Sequence, residues 1–240
     1  MTAEQLAARI DHTLLKPEAT PAEIEAVVQE ARRYRFASVC VSPVYVKRVV
    51  EVLRGSGVKA CTVAGFPHGT SKATVKAIEA VSAVKDGADE IDVVAHLPTL
   101  LTLDLDAARL ELMEVVRGAR AGRSDVVIKV IVESAVLMKL NADRAEETIA
   151  LACRAVRESG CDFIKTSTGM HPLGGATLDA VRLMKKHAAE IKVKAAGGIR
   201  DLATATAMLE AGADRLGLSA GVSIMKELLG EKPASTTVGY

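Results

Sequence analysis

Short apolar segments alternate with amphipathic segments along the chain. The apolar segments, about four to seven residues long, fit buried strands. In the amphipathic segments apolar residues return every three or four positions, as in the helical stripe of Ile24, Val28 and Ala31. A capping box at residues 20–23, with Pro21 at the first helical position, precedes that stripe. The pattern predicts eight strands, at residues 10–14, 37–41, 58–64, 90–94, 126–132, 162–165, 191–195 and 214–218.

This alternation predicts an α/β fold, a single-domain (β/α)8 TIM barrel in which a helix follows each strand. An open doubly wound sheet is the alternative, but the elements are evenly spaced and no Gly-x-Gly-x-x-Gly follows the first strand. The barrel domain is expected at residues 1–230. The polar segment at residues 231–240 is expected to be a flexible C-terminal tail.

One short sequence motif occurs three times, and its last residue differs in each copy. Residues 87–92 end on Asp92, residues 160–165 on Lys165 and residues 212–217 on Gly217. In each copy the first glycine can end a helix in the left-handed conformation, and a short strand follows. We interpret the repeat as the trace of one site that several strands build at their ends.

Composition narrows the class of protein. Among 240 residues, 49% are hydrophobic, the net charge is +1 and Trp is absent, which argues against partners such as nucleic acid or a membrane surface. The four cysteines have no Cys-x-x-Cys spacing, and the N-terminus does not resemble a signal peptide, so a cytoplasmic protein is expected. The five histidines show no metal-ligand spacing, so neither a metal nor another cofactor is expected.

Two lysines at strand ends are the candidate chemistry. A lysine in a strand is often on a solvated face, but parallel barrel strands have no open edge, so Lys165 and Lys194 are expected to point into the mouth. At ~5 Å and an effective dielectric constant of ~20, two ammonium groups repel by roughly 3 kcal/mol, which is about two pKa units. One neutral amine could then form a Schiff base with a carbonyl. Asp92 could hold the second ammonium or relay protons.

Glycine-rich loops follow the last three predicted strands. Residues 166–169 include Thr168 and Gly169, residues 196–199 include Gly197 and Gly198, and residues 217–221 include Ser219. Such loops are usually turns, but those after strands seven and eight are the common phosphate site of barrels. The sequence therefore predicts a phosphorylated substrate.

The chain resembles the deoxyribose-phosphate aldolase family over nearly its whole length. The resemblance rests on residues 10–17, 39–41, 65–67, 89–92, 193–200 and above all on the Lys-Thr-Ser-Thr-Gly segment at residues 165–169. It implies a class I aldolase that reversibly cleaves 2-deoxy-D-ribose 5-phosphate into acetaldehyde and D-glyceraldehyde 3-phosphate. It also implies small phosphosugar and aldehyde substrates as the partners. The sequence leaves the oligomeric state open, with a homo-oligomer as one option.

The resemblance also implies a role for individual residues. Lys165 would be the Schiff-base lysine, Lys194 the lysine that perturbs it, and Asp92 the proton-relay acid. Asp11, on the first strand, would support Lys194, and Thr13 on the same strand would contact the substrate. Two further residues are implied: Cys40 would line the site, or be a core residue, and Tyr240 would take part in proton transfer.

Residues that differ from the family pattern leave the substrate range open. Ala220 follows Ser219 where many members have a second serine, so one phosphate donor can be missing. A sugar-phosphate isomerase would share the barrel and the phosphate loops but would normally need a carboxylate base. A phosphometabolite-binding barrel without activity would leave Asp92, Lys165 and Lys194 without a role.

Overall fold

Eight parallel strands close into one barrel in chain order in the computed structural model, which describes residues 1–231. The predicted (β/α)8 fold is therefore confirmed. Each observed strand begins and ends within about one residue of its predicted bounds. The strands are β1 (Ile10–Leu14), β2 (Ser38–Val41), β3 (Lys59–Ala64), β4 (Glu90–Val94), β5 (Val127–Ile131), β6 (Phe163–Lys165), β7 (Lys192–Ala196) and β8 (Arg215–Leu218).

Helices surround the barrel. They are α1 (Ala3–Ala7), α2 (Pro21–Tyr34), α3 (Val46–Leu53), α4 (Ala73–Lys85), α5 (Leu97–Leu101), α6 (Leu105–Gly122), α7 (Ser134–Leu140), α8 (Ala145–Glu158), α9 (Leu178–His187), α10 (Leu202–Glu210) and α11 (Gly221–Leu228), with 3-10 turns at Pro43–Tyr45 and Ala142–Arg144. The sequence pattern did not indicate α1, α5 and α7, because five to seven residues are too few to display a helical period. Within residues 1–231 no helix is long and apolar enough to cross a membrane.

Local signals in the sequence explain where several helices begin and end. Thr20 and Glu23 form the expected capping box, since the Thr20 side chain accepts from the Glu23 backbone and the Glu23 side chain accepts in return. Gly87, Gly160 and Gly212 each follow a helix. Their φ values of 100°, 81° and 114° correspond to the left-handed conformation that was expected for the repeated motif.

Strand register places the ends of that repeat at one level of the barrel. Asp92 on β4 pairs with Lys129, which pairs with Phe163, so Lys165 lies two residues beyond the register partner of Asp92. Lys165 in turn pairs with Lys194 on β7. Followed once around the closed barrel, the register returns to β4 eight residues before its start, a drop of about one residue per strand that comes from the tilt of the strands. The two extra residues offset this drop, so Asp92 and Lys165 lie in the same layer of interior side chains.

The two faces of the strands have opposite chemistry. Residues that point outward, such as Ile91, Val93, Ile164 and Val193, belong to the apolar core between the strands and the helices. Residues that alternate with them, such as Asp92, point into the barrel and are charged on most strands. The barrel interior is thus a polar compartment inside an apolar shell.

Candidate active site

A single carboxylate lies at the centre of the barrel interior. Oδ2 of Asp92 is 2.8 Å from Nζ of Lys165 and 2.7 Å from Nζ of Lys194, and Oδ1 is 2.9 Å from Nζ of Lys129. Asp92, Lys129 and Lys194 are fully buried, and Lys165 keeps 3% of its surface exposed. The strands β5, β6 and β7 thus each direct the amino group of a lysine to one residue of β4.

A second set of charges lies behind this centre. Oδ2 of Asp11 is 2.5 Å from Nζ of Lys194, and Oδ1 is 2.5 Å from a guanidinium nitrogen of Arg215. Glu90 contacts Lys129 at 2.5 Å. Ser38 donates to Oδ1 of Asp11 at 2.7 Å.

The cluster contains one more cation than it has anions within the described chain. The cations are Lys129, Lys165, Lys194 and Arg215, and the anions are Asp11, Glu90 and Asp92. If Lys165 loses a proton, the remaining charges balance.

Electrostatics fix the charge of most of these groups. Burial alone would raise the pKa of Asp92, but the neighbouring lysines outweigh it and hold that pKa well below its usual value. Burial likewise opposes the ionisation of Asp11, and the cations Lys194, Lys129 and Arg215 lower its pKa. Burial would lower the pKa of Lys194, but Asp11 and Asp92 raise it.

Lys129 is held in its charged form for the same reason. Burial would lower the pKa of Lys129, but Asp92 and other anions outweigh it and raise that pKa. Lys194 and Lys129 are therefore ammonium groups at neutral pH. The lowering of a lysine pKa expected from two adjacent amines does not fall on Lys194, because two carboxylates contact it.

A cavity of about 100 Å³ opens at the C-terminal ends of the strands, and Lys165 lies on its wall. Thr13, Leu15, Thr168, Gly169, Met170, Ala196, Gly197, Gly198, Ile199, Arg200, Gly217, Leu218 and Ser219 complete the wall. Lys194 lies beneath it and not in the mouth, which corrects the expectation for this residue. Asp11 and Asp92 hold the Lys194 side chain down, and Gly217 leaves room for it, because a Cβ at Gly217 would lie 2.9 Å from Cε of Lys194.

The glycine loops meet at the cavity. Gly197 has a φ of 90°, and a Cβ there would lie 2.5 Å from Oγ of Ser167 and 3.1 Å from Cα of Gly169. The backbones of two loops can approach each other only because these positions are glycines. The exposed residues Ser219 and Arg200 lie on the same wall. The wall therefore offers backbone, hydroxyl and guanidinium groups to an anion.

Two buried cysteines flank Asp92. Sγ of Cys61 donates to Oδ1 of Asp92 at 3.4 Å. Burial raises the pKa of Cys61, whereas the hydrogen bond between the two thiols lowers the pKa of Cys40. Their sulfur atoms and a carboxylate oxygen of Asp92 lie within 4.8 Å of one another, as in a metal site. The ammonium groups already on Asp92 oppose the approach of a cation there.

The residues predicted from the sequence fall into three groups. On the cavity wall are Lys165, Thr13, Thr168, Gly169, Gly197, Gly198, Gly217 and Ser219. Beneath the wall are Asp92, Lys194, Asp11 and Cys40, each of them fully buried. Tyr240 lies outside the described residues.

Three charged residues of the cluster were not among the predicted site residues. Glu90, Lys129 and Arg215 enter the barrel at positions that alternate with outward-facing apolar residues. Glu90 precedes Asp92 by two residues and Arg215 precedes Gly217 by two, so the period of the strand was a usable signal.

The fold and the site define a (β/α)8-barrel enzyme with a buried cluster of charged side chains beneath a cavity at the C-terminal ends of the strands. The chain belongs to the DeoC/LacD family of aldolases, whose family model matches residues 6–227. It is therefore an aldolase, a carbon–carbon lyase.

Named relatives agree with this family. The chain is 48% identical to the deoxyribose-phosphate aldolase of Caldanaerobacter subterraneus over 92% of this chain and 93% of the relative. It is 50% identical to that of Mycobacterium avium over 95% and 98%. Among solved structures, the tetrameric deoxyribose phosphate aldolase of Aeropyrum pernix superposes with a TM-score of 0.85 at 34% identity, over 95% of this chain and 92% of that one.

Proposed function

We propose that this protein reversibly cleaves 2-deoxy-D-ribose 5-phosphate to acetaldehyde and D-glyceraldehyde 3-phosphate through a Schiff base on Lys165. One observation carries the proposal. Of the lysines that contact Asp92 within residues 1–231, Lys165 is the one that lies on the cavity wall. The names of the relatives supply the substrate.

The first step needs a neutral amine on Lys165. A neutral lysine amine is a nucleophile for carbonyls, and the other six charges of the cluster balance when Lys165 carries no charge. The amine attacks C1 of the open-chain sugar, and the adduct takes up a proton and loses water to give a protonated imine. That imine restores the positive charge 2.8 Å from Asp92, which stabilises it.

The imine then serves as the electron sink for bond cleavage. A base removes the proton of the C3 hydroxyl, the bond between C2 and C3 breaks, and its electrons form an enamine on the Lys165 nitrogen. The aldehyde that leaves is glyceraldehyde 3-phosphate. Asp92, through water, is the proposed base, because it is ionised and lies next to the nitrogen.

The enamine must next gain a proton at carbon. Tyr240 is the proposed donor for this step, on the ground of the family resemblance. Hydrolysis of the resulting imine releases acetaldehyde and regenerates Lys165.

The glycine loops of the cavity wall suit the phosphate. They contribute Gly169, Gly197, Gly198 and Ser219, and the exposed Arg200 adds a cation that was not among the predicted site residues. Backbone N–H groups and a guanidinium are strong donors to phosphate oxygens.

The cellular setting and assembly of the enzyme are part of the same proposal. We place it in nucleoside catabolism in the cytoplasm, which the four free cysteines support. We also expect a homo-oligomer, and the tetrameric state of the similar aldolase from Aeropyrum pernix supports this expectation.

The test is cleavage of 2-deoxyribose 5-phosphate, with acetaldehyde release measured in the presence of a chelator. Wild type should turn over without added metal, and Lys165→Ala should lose activity by orders of magnitude. Lys192→Ala is the matched control, since Lys192 is an exposed lysine of β7. Inactivation by the chelator that added metal reverses, or full activity of Lys165→Ala, would contradict the proposal.

A further inference from the structure

Glu133 is a buried acidic residue that the proposed mechanism does not use. It follows β5 and precedes α7, with 2% of its surface exposed. Its backbone is left-handed, with φ 48° and ψ 57°. This conformation costs a non-glycine residue about 1–2 kcal/mol and persists where the surroundings require it. A strained, buried carboxylate beside the cavity calls for a reason.

The carboxylate of Glu133 clamps one residue of the cavity wall. Its Oε1 accepts from the backbone N–H of Thr168 at 2.7 Å and from the Thr168 hydroxyl at 2.5 Å. Its Oε2 is buried and has no hydrogen-bond partner among the described residues. A buried carboxyl group with one unpaired oxygen is costly, so the contact with Thr168 is maintained against that cost.

The clamp extends the sheet beyond the end of its strands. Val132 donates from its backbone to the carbonyl of Lys165 at 3.1 Å, and Ser134 donates to that of Thr166 at 2.8 Å. The side chain of Glu133 then accepts from the next available N–H, that of Thr168. The loop that follows Lys165 is thereby fixed to β5.

This arrangement determines the polarity of the Thr168 hydroxyl. Its hydrogen is directed to Glu133, and one oxygen lone pair accepts from the N–H of Met170 at 3.1 Å. One lone pair is left, and Thr168 lies on the cavity wall with Lys165. Thr168 can therefore only accept a hydrogen bond from a substrate.

We propose that Glu133 is a positioning residue that makes Thr168 an obligatory acceptor for a substrate hydroxyl, and so selects aldehydes that carry a hydroxyl beside the carbonyl. The inference rests on the proposed function, in which Lys165 holds the carbonyl end and the glycine loops hold the phosphate. Thr168 lies on the same wall as Lys165 and next in sequence to Gly169 of the glycine loops, so we assign it to the middle carbons of the sugar. After cleavage, the hydroxyl on those carbons remains next to the carbonyl of the released aldehyde.

The test compares two acceptors of similar shape in the synthetic direction, with acetaldehyde as the donor. Glycolaldehyde carries a hydroxyl where propanal carries a methyl group. Wild type should prefer glycolaldehyde in kcat/KM. Glu133→Met should lose about tenfold of that preference, the worth of one hydrogen bond, with little change for propanal. If Glu133 had a purely structural role, the substitution would lower kcat/KM equally for both acceptors.

Three comparisons sharpen the result. Glu133→Gln should keep the preference, because its amide oxygen can still accept from Thr168. Thr168→Val should lose the preference and Thr168→Ser should keep it. Ser134→Ala is the matched control, since that neighbouring hydroxyl is buried and without a hydrogen-bond partner among the described residues.

The outcomes separate the inference from the proposed function. An unchanged preference in Glu133→Met, or in Thr168→Val where Glu133→Met does not fold, would overturn the inference while aldol synthesis continues. Absence of aldol product from wild type with both acceptors would overturn the proposed function first. Non-additivity in the double variant Glu133→Met/Thr168→Val would support a single shared interaction.

Discussion

Removal of the Lys194 charge should move the pH range of activity upward. Nζ of Lys194 and Nζ of Lys165 contact the same oxygen of Asp92, at 2.7 and 2.8 Å, so they lie no further apart than the sum of these distances, about 5.5 Å. Lys194→Met keeps the volume of the side chain and removes its charge. The cluster is then balanced with Lys165 still protonated, so the reactive form is harder to reach.

The size of the effect follows from the distance. At about 5.5 Å and an effective dielectric constant of ~20, the repulsion between two unit charges is roughly 3 kcal/mol. This corresponds to about two pH units. The pH of half-maximal Schiff-base formation should therefore rise by about two units in Lys194→Met, with partial recovery of the rate at alkaline pH.

The assay is the rate of imine trapping from acetaldehyde and a mild hydride reagent, measured from about pH 6 to 10 so that the expected shift falls inside the range. Lys192→Met is the control, because it removes a lysine from the same strand at an exposed position. Its profile should match that of wild type. A Lys194→Met profile with the wild-type midpoint and rate would refute the charge coupling.

Four further outcomes follow from the site. Asp92→Asn should lose turnover and about 3–5 kcal/mol of stability in urea unfolding, because it leaves buried ammonium groups without their shared anion. The lowered pKa values of Asp92 and Asp11 stabilise the folded state above about pH 5, and this stabilisation is lost as the pH falls below about 4 toward the folded-state pKa. Asp11→Asn should reduce that loss when the free energy of unfolding is measured from about pH 7 to 3. Ser219→Ala should raise KM for the phosphorylated sugar more than it lowers kcat, whereas equal kcat/KM of wild type for 2-deoxyribose with and without phosphate would argue against a phosphate site. Tyr240→Phe should lower kcat by about tenfold or more and slow exchange of the acetaldehyde methyl protons with solvent, with unchanged stability; wild-type exchange would leave the tail without a role.

The barrel could be predicted from the sequence because its signals are local. Each strand carries apolar residues on its outward face, and glycines such as Gly87 and Gly160 mark the ends of helices. Short helices such as α5 and α7 could not be predicted, since their residues do not complete two turns. They are fixed by the packing around them.

The site was predicted in part. Asp92 and Lys165 stood out because charged side chains are rare in strands that are covered on both faces. The depth of Lys194 depends on its pairing with Lys165 across β6 and β7 and on the space at Gly217, which only the closed barrel shows. The contact between Glu133 and Thr168 likewise could not be predicted, because it joins residues 35 positions apart.

The central claim is that Lys165 is the residue that bonds to substrate. Incubation of wild type with acetaldehyde and borohydride, followed by peptide mass mapping, tests it most directly. One added ethyl group is expected on the peptide that carries Lys165, and none on that peptide in Lys165→Ala. An adduct on Lys194 with Lys165 unmodified would contradict this claim.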